Sequence, residues 1–448
     1  MSSSSGPTVV HLSDFGAQPL DSSQATEAIN AAALNKALGS LRSGDTLLIR
    51  GVYHTNGGLV GTNLTDVTIQ LDGQLVFSSS TRRWPRYMDD RGKKGGVMEC
   101  LHLINPVNVT LTSSLGRGAD GGVLDGSGAA WWGIPFVGYL IHVEDRPRLL
   151  RVSNGTQMMV ENWLLLDPPY WAATFDFVAG LEVRYVGIQA RRTSNEGHGL
   201  TDLSALNTDG FDVSGRDVWI HDCNVWNQDD CIAVKGCPSC GLDDPLRLSE
   251  NMLFERINAT GMGLTIGSIG GNSAVHNITF RDSVIYKTYK GIYMKFRHSN
   301  LTSISNILFE NVLMVEPEQW PIWIGPAQQA DTRNICHANP CSICWPYVPG
   351  AECRGQENAT YQNVTLRNVT IQRPVRGAGV IMADPHFPME GVVFDGVRVD
   401  PCGSSESNPS VDETFPMLPL RSRRDSYVEG SQLLAFAAIL LLGTALIK

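Results

Sequence analysis

The chain has 448 residues, 42% hydrophobic and 18% charged, which is too apolar for a disordered polymer and long enough for two or three ordinary domains or one repetitive one. Its formal net charge of −10 argues against nucleic acid as a main partner, and an anionic polymer would be repelled except where Lys and Arg gather in a cleft. Forty-five glycines suit an architecture of coils and turns.

In chain order, residues 1–9 read as a flexible start. Met1–Gly6 lacks the apolar core of a signal peptide, so a misplaced start or a missing export segment is expected. Asp14-Phe15-Gly16-Ala17 opens the ordered part. The segment Ala25–Leu41 carries Ile29, Ala33, Leu34, Ala37, Leu38 and Leu41 at helical spacing, which predicts an amphipathic helix capping the end of a solenoid. Short strand-like pieces follow, such as Val67–Leu71, Val109–Leu111 and Val218–Ile220. They then recur as Leu253–Glu255, Ile278–Arg281, Ile307–Glu310, Val364–Arg367 and Val392–Asp395. Phe254 to Phe280 is 26 residues, Phe280 to Phe309 is 29, and Leu366 to Phe394 is 28. A recurrence of that length predicts an all-β fold, a right-handed parallel β-helix with an N-terminal capping helix, over residues 10–403. Strand alternation turns Phe254, Phe280, Phe309 and Phe394 inward, stacked along the axis.

Residues 326–358 break the rhythm and read as a disulfide-tied loop beside a cleft. Residues 404–431 read as a polar linker. Residues 432–448 form a hydrophobic tail whose apolar run, Leu433–Ile447, is short for a bilayer span of roughly 20 residues. The tail fits a lipid-anchor signal, a marginal membrane helix, or neither.

There are ten Cys, with Cys-x-x-Cys pairs at Cys237/Cys240 and Cys341/Cys344. The pairs are too far apart in sequence for a compact zinc module. Sequons at Asn63, Asn108, Asn154, Asn258, Asn277, Asn300, Asn358, Asn363 and Asn368, with an even Cys count, point to a secreted glycoprotein with disulfide bonds.

The chemistry gathers between Asn207 and Arg297. Asn207-Thr208-Asp209 is followed by Asn227-Gln228-Asp229-Asp230-Cys231, then Gly261-Met262-Gly263, then Tyr293-Met294-Lys295-Phe296-Arg297. Asp209 precedes the Asp229-Asp230 pair by 20 and 21 residues, close to one coil of a β-helix, so three carboxylates would meet on one face. Neighbouring strand residues point to opposite faces, so Asp229 and Asp230 share a cleft only where the chain bends. Paired carboxylates are what glycosidic hydrolysis needs: a protonated acid for the leaving oxygen and a base for water.

This ordered set resembles glycoside hydrolase family 28, the polygalacturonase family, which is marked in order by Asn-Thr-Asp, Asp-Asp, Gly-His-Gly and Arg-Ile-Lys. The first two motifs are intact. Met262 stands where the family has His, and Tyr293 where it has Arg. The resemblance spans about Val10 to Cys402. It implies inversion, with Asp229 as the general acid and Asp209 and Asp230 activating water, at an acid–base separation of roughly 6.5–9.5 Å. It implies Lys295 as a ligand for a substrate carboxylate. Arg297, on the same strand face as Tyr293 and Lys295, is read from alternation as a replacement cation. Asn207 and Gln228 flank the acids as substrate- or water-positioning groups, or simply as turn hydrogen-bonders. Met262 would pack on the sugar or fill space. His198, in Gly197-His198-Gly199, falls in the wrong order for the family's His and reads as a loop residue.

The implied function is a secreted, extracellular or cell-wall hydrolase of α-linked galacturonic acid in pectic polysaccharide, monomeric, without cofactor or metal, and with membrane attachment through the tail as an option. A related pectic backbone (rhamnogalacturonan or xylogalacturonan), a catalytically silent polysaccharide-binding β-helix, and a β-helix lyase stand as alternatives.

Overall fold

A one-residue left-handed turn followed by a short strand of alternating apolar residues is the unit from which the molecule is built. The computed structural model describes residues 8–89, 92–133, 145–193, 197–199, 201–297, 301–327, 341–342, 353–355 and 357–401. Its strands pair in parallel as one 24-stranded sheet from Val9 to Asp400, wound into a parallel β-helix. Registers are regular from coil to coil, as in Val218↔Met252, Met252↔Ile278, Ile278↔Ile307 and Ile307↔Val364. A separate antiparallel pair, Arg86–Met88 with Lys94–Val97, lies outside that sheet.

The corners follow from residue chemistry. Asn63, Asn105, Asn154, Asn251, Asn277, Asn306, Asn311, Asn363 and Asn368 all have positive φ. Asn adopts that region at small cost because its short side chain bonds locally. Here the side chains also bond between coils: Asn105 Nδ2 donates to Asn63 Oδ1 (3.1 Å), and Asn154 Nδ2 to Asn105 Oδ1 (3.1 Å). Farther along, Asn277 donates to Asn251 (2.9 Å), and Asn368 to Asn311 (2.8 Å).

Inside, Phe254, Phe280 and Phe309 are fully buried and stacked with ring centroids 4.7 and 4.9 Å apart, the spacing of adjacent strands. Phe280→Ala removes the middle ring of three. It is expected to destabilise the fold by about 3–5 kcal/mol in chemical denaturation. Phe394 departs from the inward expectation. It holds register with Leu366 but is 47% exposed, because its strand, Glu390–Asp395, pairs on one side only among the described residues.

The helix runs Gln24–Ser40, N-capped by Ser23, whose hydroxyl accepts from the Thr26 N–H. It covers the first coil at strands Thr46–Thr55 and Leu59–Thr62 with Ala33, Leu34, Ala37 and Leu38. That caps strand edges that would otherwise be open. Helical spacing puts Ile29 on the covered face, but Ile29 is 41% exposed. Its place is taken by Asn30, whose Nδ2 bonds the carbonyls of Gln18 and His54.

Among the described cysteines, Cys237–Cys240 and Cys341–Cys353 are disulfides, while Cys100, Cys223 and Cys231 are free and buried. Cys341 thus pairs outside the Cys341/Cys344 motif. Most of the loop expected over residues 326–358 lies outside the described residues, as do residues 1–7, the linker and the tail at 404–448. No described helix is long and apolar enough to cross a membrane.

Candidate active site

Six coils place their loop-to-strand junctions side by side. Backbone bonds fix the alignment: Leu149 N–H to Trp171 O, Ala172 N–H to Asp209 O, Gly210 N–H to Asp230 O, Met262 N–H to Asp229 O, and Leu264 N–H to Gly291 O. Arg148, Trp171, Asp209, Asp230, Met262 and Lys290 therefore form a row along the solenoid, about 4.8 Å per coil. The acids sit at its centre.

Asp229 and Asp230 lie in a bend before the strand Ile232–Val234, so the adjacent carboxylates converge as a shared cleft requires. Asn207 has a left-handed backbone (φ 61°), which aims its N–H at Asp229 Oδ2 (2.9 Å). The Asp230 N–H donates to Asp229 Oδ1 (2.9 Å). Asp230 is buried between Lys295, whose Nζ donates to both of its oxygens (3.0 and 2.9 Å), and the Thr265 hydroxyl (3.0 Å). One oxygen from each of Asp209, Asp229 and Asp230 lies within 4.8 Å of the others. At these nearest atoms the cluster is tighter than the roughly 6.5–9.5 Å expected between acid and base. The bend folds Asp229 back over the coil that carries Asp209.

Two further charged residues complete the cluster, and sequence reasoning missed both. Lys235 Nζ lies 2.8 Å from Asp212, 3.5 Å from Asp209 and 4.0 Å from Asp230, and donates to the Gly267 carbonyl. Asp212 is three residues past Asp209, and Lys235 directly follows the strand after the acid pair. The available signal was that acids buried one coil from Lys235 need a counter-ion.

Four carboxylates against two ammonium groups leave excess negative charge in a dry place. Burial first, then Asp212 and Asp229, drives the Asp209 carboxyl well above its usual range. Burial lifts Asp212 to about 6 against the pull of Lys235. Burial and Asp230 raise Asp229. Burial pulls Lys295 down, but Asp230, Tyr293 and Asp229 outweigh this and its net shift is upward. All three carboxyl shifts favour retention of a proton in the cluster, which is what a general acid needs. Three converging carboxylates are also a donor set of the kind that holds a cation. In this geometry the ammonium groups of Lys235 and Lys295 supply the counter-charge.

The flanking residues divide. Gln228 is fully buried: its N–H bonds the Thr208 hydroxyl and its Oε1 meets His198 Nδ1 (2.8 Å), so it braces the loop. His198 is itself buried behind the acids, and burial lowers it to about 4. Met262 is buried in the row beside Asp230. Gly261 (φ 139°) and Gly263 (φ 80°) flank it, and a Cβ at Gly263 would lie 2.1 Å from the Gly291 carbonyl oxygen, which explains both glycines. Tyr293 is buried with its hydroxyl on Ser342 (2.6 Å), and its ring lies 4.0 Å from Lys295 Nζ. Arg297 is exposed beyond the end of the strand Ile292–Phe296, so it does not share a buried face with Lys295 as alternation suggests. On the other side of the acids, Trp171 stacks on Tyr170 (4.9 Å), with Arg148 and Lys235 4.6 and 5.0 Å from its ring.

Comparison with known proteins places this arrangement. The family model described as glycosyl hydrolases family 28 matches residues 56–340. Probable endopolygalacturonase C of Aspergillus aculeatus is 29% identical over 223 residues, 49% of this chain and 52% of that protein. Probable endo-xylogalacturonan hydrolase A of Neosartorya fischeri is 28% identical over 292 residues, 62% of this chain and 63% of that protein. Rhamnogalacturonase A of Aspergillus aculeatus is 28% identical over 286 residues, 63% of this chain and 53% of that protein. The matches therefore span less than two thirds of the length of these relatives. Among solved structures, endo-xylogalacturonan hydrolase from Aspergillus tubingensis superposes with a TM-score of 0.60 at 19% identity, covering 88% of this chain and 96% of that one. The exopolygalacturonase from Thermotoga maritima superposes at 0.55 and 17% identity, covering 88% and 91%. At those identities the likeness is one of fold, the parallel β-helix. With the family model covering more than half of the sequence, the chain belongs to glycosyl hydrolase family 28.

Proposed function

We propose that this chain hydrolyses α-linked galacturonic acid in a pectic polysaccharide, with Asp229 as the general acid and Asp209 and Asp230 activating water. The observation that carries the reading is the cluster itself: three carboxylates with oxygens within 4.8 Å, holding excess negative charge against two lysines. A leaving oxygen would take the proton from Asp229, the least buried of the three. Water held by Asp209 and Asp230 would attack from the opposite face, with inversion.

Relatives named for polygalacturonan, xylogalacturonan and rhamnogalacturonan hydrolysis leave three related backbones in play. Met262 and the buried Tyr293, in place of the family's His and Arg, favour a decorated or mixed backbone over plain polygalacturonan. Reducing-end release from a panel of these polymers, with product sizing, tests the reading. The expected result is saturated products and an inverted anomer by NMR early in the reaction. An unsaturated product absorbing in the near ultraviolet would identify a lyase. Binding without turnover on every polymer would identify a silent polysaccharide-binding β-helix. A retained anomer would reassign the tight acid pair to a nucleophilic mechanism, for which a carboxyl separation of about 5–5.5 Å is typical.

An extracellular or cell-wall site of action, by a monomer, is part of the same proposal, supported by a polymeric substrate and by the two disulfides. Attachment to a membrane through residues 432–448 is a further part, tested by phase partitioning of the full-length chain.

A further inference from the structure

Lys290 has no role in the chemistry above, yet its position needs an explanation. It is 1% exposed, and its Nζ has no hydrogen-bond partner among the described residues. Its surroundings are three aromatic rings, Trp323 at 5.3 Å and Tyr289 and Tyr293 each at 5.9 Å. A buried ammonium without a partner is costly, and native proteins keep such groups rarely. Its place in the fold is specific. Tyr289 N–H bonds the Gly261 carbonyl and Leu264 N–H bonds the Gly291 carbonyl, which sets Lys290 beside Met262 in the row that contains Asp230. It stands two coils from Asp230, about 10 Å along the axis. The two positions where the family motifs carry His and Arg are Met262 and Tyr293, and Lys290 sits between them.

We propose that Lys290 is the carboxylate-binding residue of a uronate subsite on the C-terminal side of the acids, replacing the cations absent at positions 262 and 293. The inference rests on the proposed function and names the part of the cleft that reads substrate charge. Trp323 and Tyr293 are themselves fully buried and Tyr289 is half-buried, so the rings wall the amine off from solvent, and Nζ meets a sugar carboxylate by swinging on its four-carbon stem toward Met262. Before a ligand arrives, the charged form of the amine is disfavoured. Burial and then the Lys295 charge push Lys290 well below the usual lysine range. The other titratable groups around it are the Tyr289 and Tyr293 phenols, and Glu318 is engaged with the His198 N–H. When an anionic sugar enters, its carboxylate favours the protonated amine, so Nζ draws protons from solvent and pairs with the carboxylate. No covalent bond to a heavy atom changes.

The experiment uses the full chain carrying Asp229→Asn, to prevent turnover, and compares it with the same chain carrying Lys290→Met in addition. Each is titrated calorimetrically with an oligogalacturonide and with its methyl ester, at neutral pH, in two buffers of different ionisation enthalpy. The expected result is that the chain with Lys290 takes up more protons per uronate carboxylate bound at this subsite than the Lys290→Met variant does. Affinity for the anionic ligand should fall by about 10- to 150-fold in that variant, the equivalent of about 1.5–3 kcal/mol for hydrogen bonds to a charged group. The methyl ester should lose several-fold less. Lys290→Gln serves as a second variant, with melting temperature monitored for both. Equal affinity and equal proton uptake with and without Lys290 overturn the assignment while leaving the hydrolase reading intact. If the Asp229→Asn chain with Lys290 present binds no anionic fragment, and wild type releases no reducing ends, the functional reading falls and this inference with it.

Discussion

Asp229→Asn is expected to leave the β-helix folded and to lower kcat/KM on the preferred polymer by at least about 10²–10⁴-fold, the range ascribed to general acid–base catalysis. The carboxyl of Asp229 is held by two backbone donors, Asn207 N–H on Oδ2 and Asp230 N–H on Oδ1. An amide keeps one acceptor for these donors but presents an NH₂ to the other, so a small loss of stability is expected. It has no transferable proton for a leaving oxygen. Asp209 and Asp230 would still activate water, but departure of the sugar alcohol would go unassisted. Asp209→Asn and Asp230→Asn should also lose most activity, through the water. Only Asp230→Asn should melt markedly earlier, because it removes the charge that pairs with the buried Lys295 and leaves one acceptor for Lys295 Nζ and the Thr265 hydroxyl to share. The measurements are initial rates of reducing-end release and circular dichroism melts. Near wild-type hydrolysis by Asp229→Asn would refute the assignment of the acid.

Much of the fold was legible because a β-helix repeats its own register. The inward phenylalanines at 254, 280 and 309 recur at coil length, and the structure stacks them. The same logic failed at Phe394, where a last coil has one neighbour and its inward position loses its cover. Ile29 failed for a related reason: helical spacing gives a face but not its edge, and Asn30 took the buried place by satisfying backbone carbonyls. The sequons carry a different lesson. Asn63, Asn108, Asn154, Asn277, Asn358, Asn363 and Asn368 all have positive φ. A turn that wants Asn in the left-handed region, followed by a strand that alternates an apolar residue with Thr, writes Asn-x-Thr at many corners. Their number is therefore explained by corner chemistry, and it carries less weight for secretion than the count alone suggests.

At the site, what could be read was what lies at one-coil spacing. Asp209 and the Asp229-Asp230 pair are separated by one short coil, so their meeting followed from the repeat. Lys290 and Arg148 belong to the same row, but coils of unequal length separate them, and spacing alone does not align them. Arg297 illustrates the opposite error. Alternation assigns faces inside a strand, but the strand ends at Phe296, and the next residue is no longer bound by the pleat. The family resemblance gives Lys295 a substrate carboxylate to hold. In this geometry it spends its bonds on Asp230, so its first effect is on the acid cluster.

Lys235→Met is the substitution that tests the electrostatics of the cluster as a whole. The side chain is nearly isosteric in its stem, so packing is largely kept, while Asp212, Asp209 and Asp230 lose a shared cation. Removing one partner of a buried ion pair typically costs about 3–5 kcal/mol, because the remaining charge is left uncompensated. The carboxylates can relieve that cost only by taking protons. Asp212 already stands at about 6 in the folded chain and Asp209 well above its ordinary value, and Lys235 is what holds both down. Without it both rise further. The folded state then binds more protons than the unfolded one across a wider range, so stability increases as pH falls through these folded values toward the unfolded value of about 4. The variant should therefore melt well below wild type at about pH 8, and the gap should narrow at about pH 5. Hydrolysis should fall as well, with the limb of the pH–rate profile that reports the base displaced upward, since Asp209 must be ionised to activate water. Circular dichroism melts at the two pH values, with kcat/KM across the range, decide the matter. A gap that is absent, or wider in acid, would mean that Lys235 contributes packing and that the carboxylates do not depend on its charge.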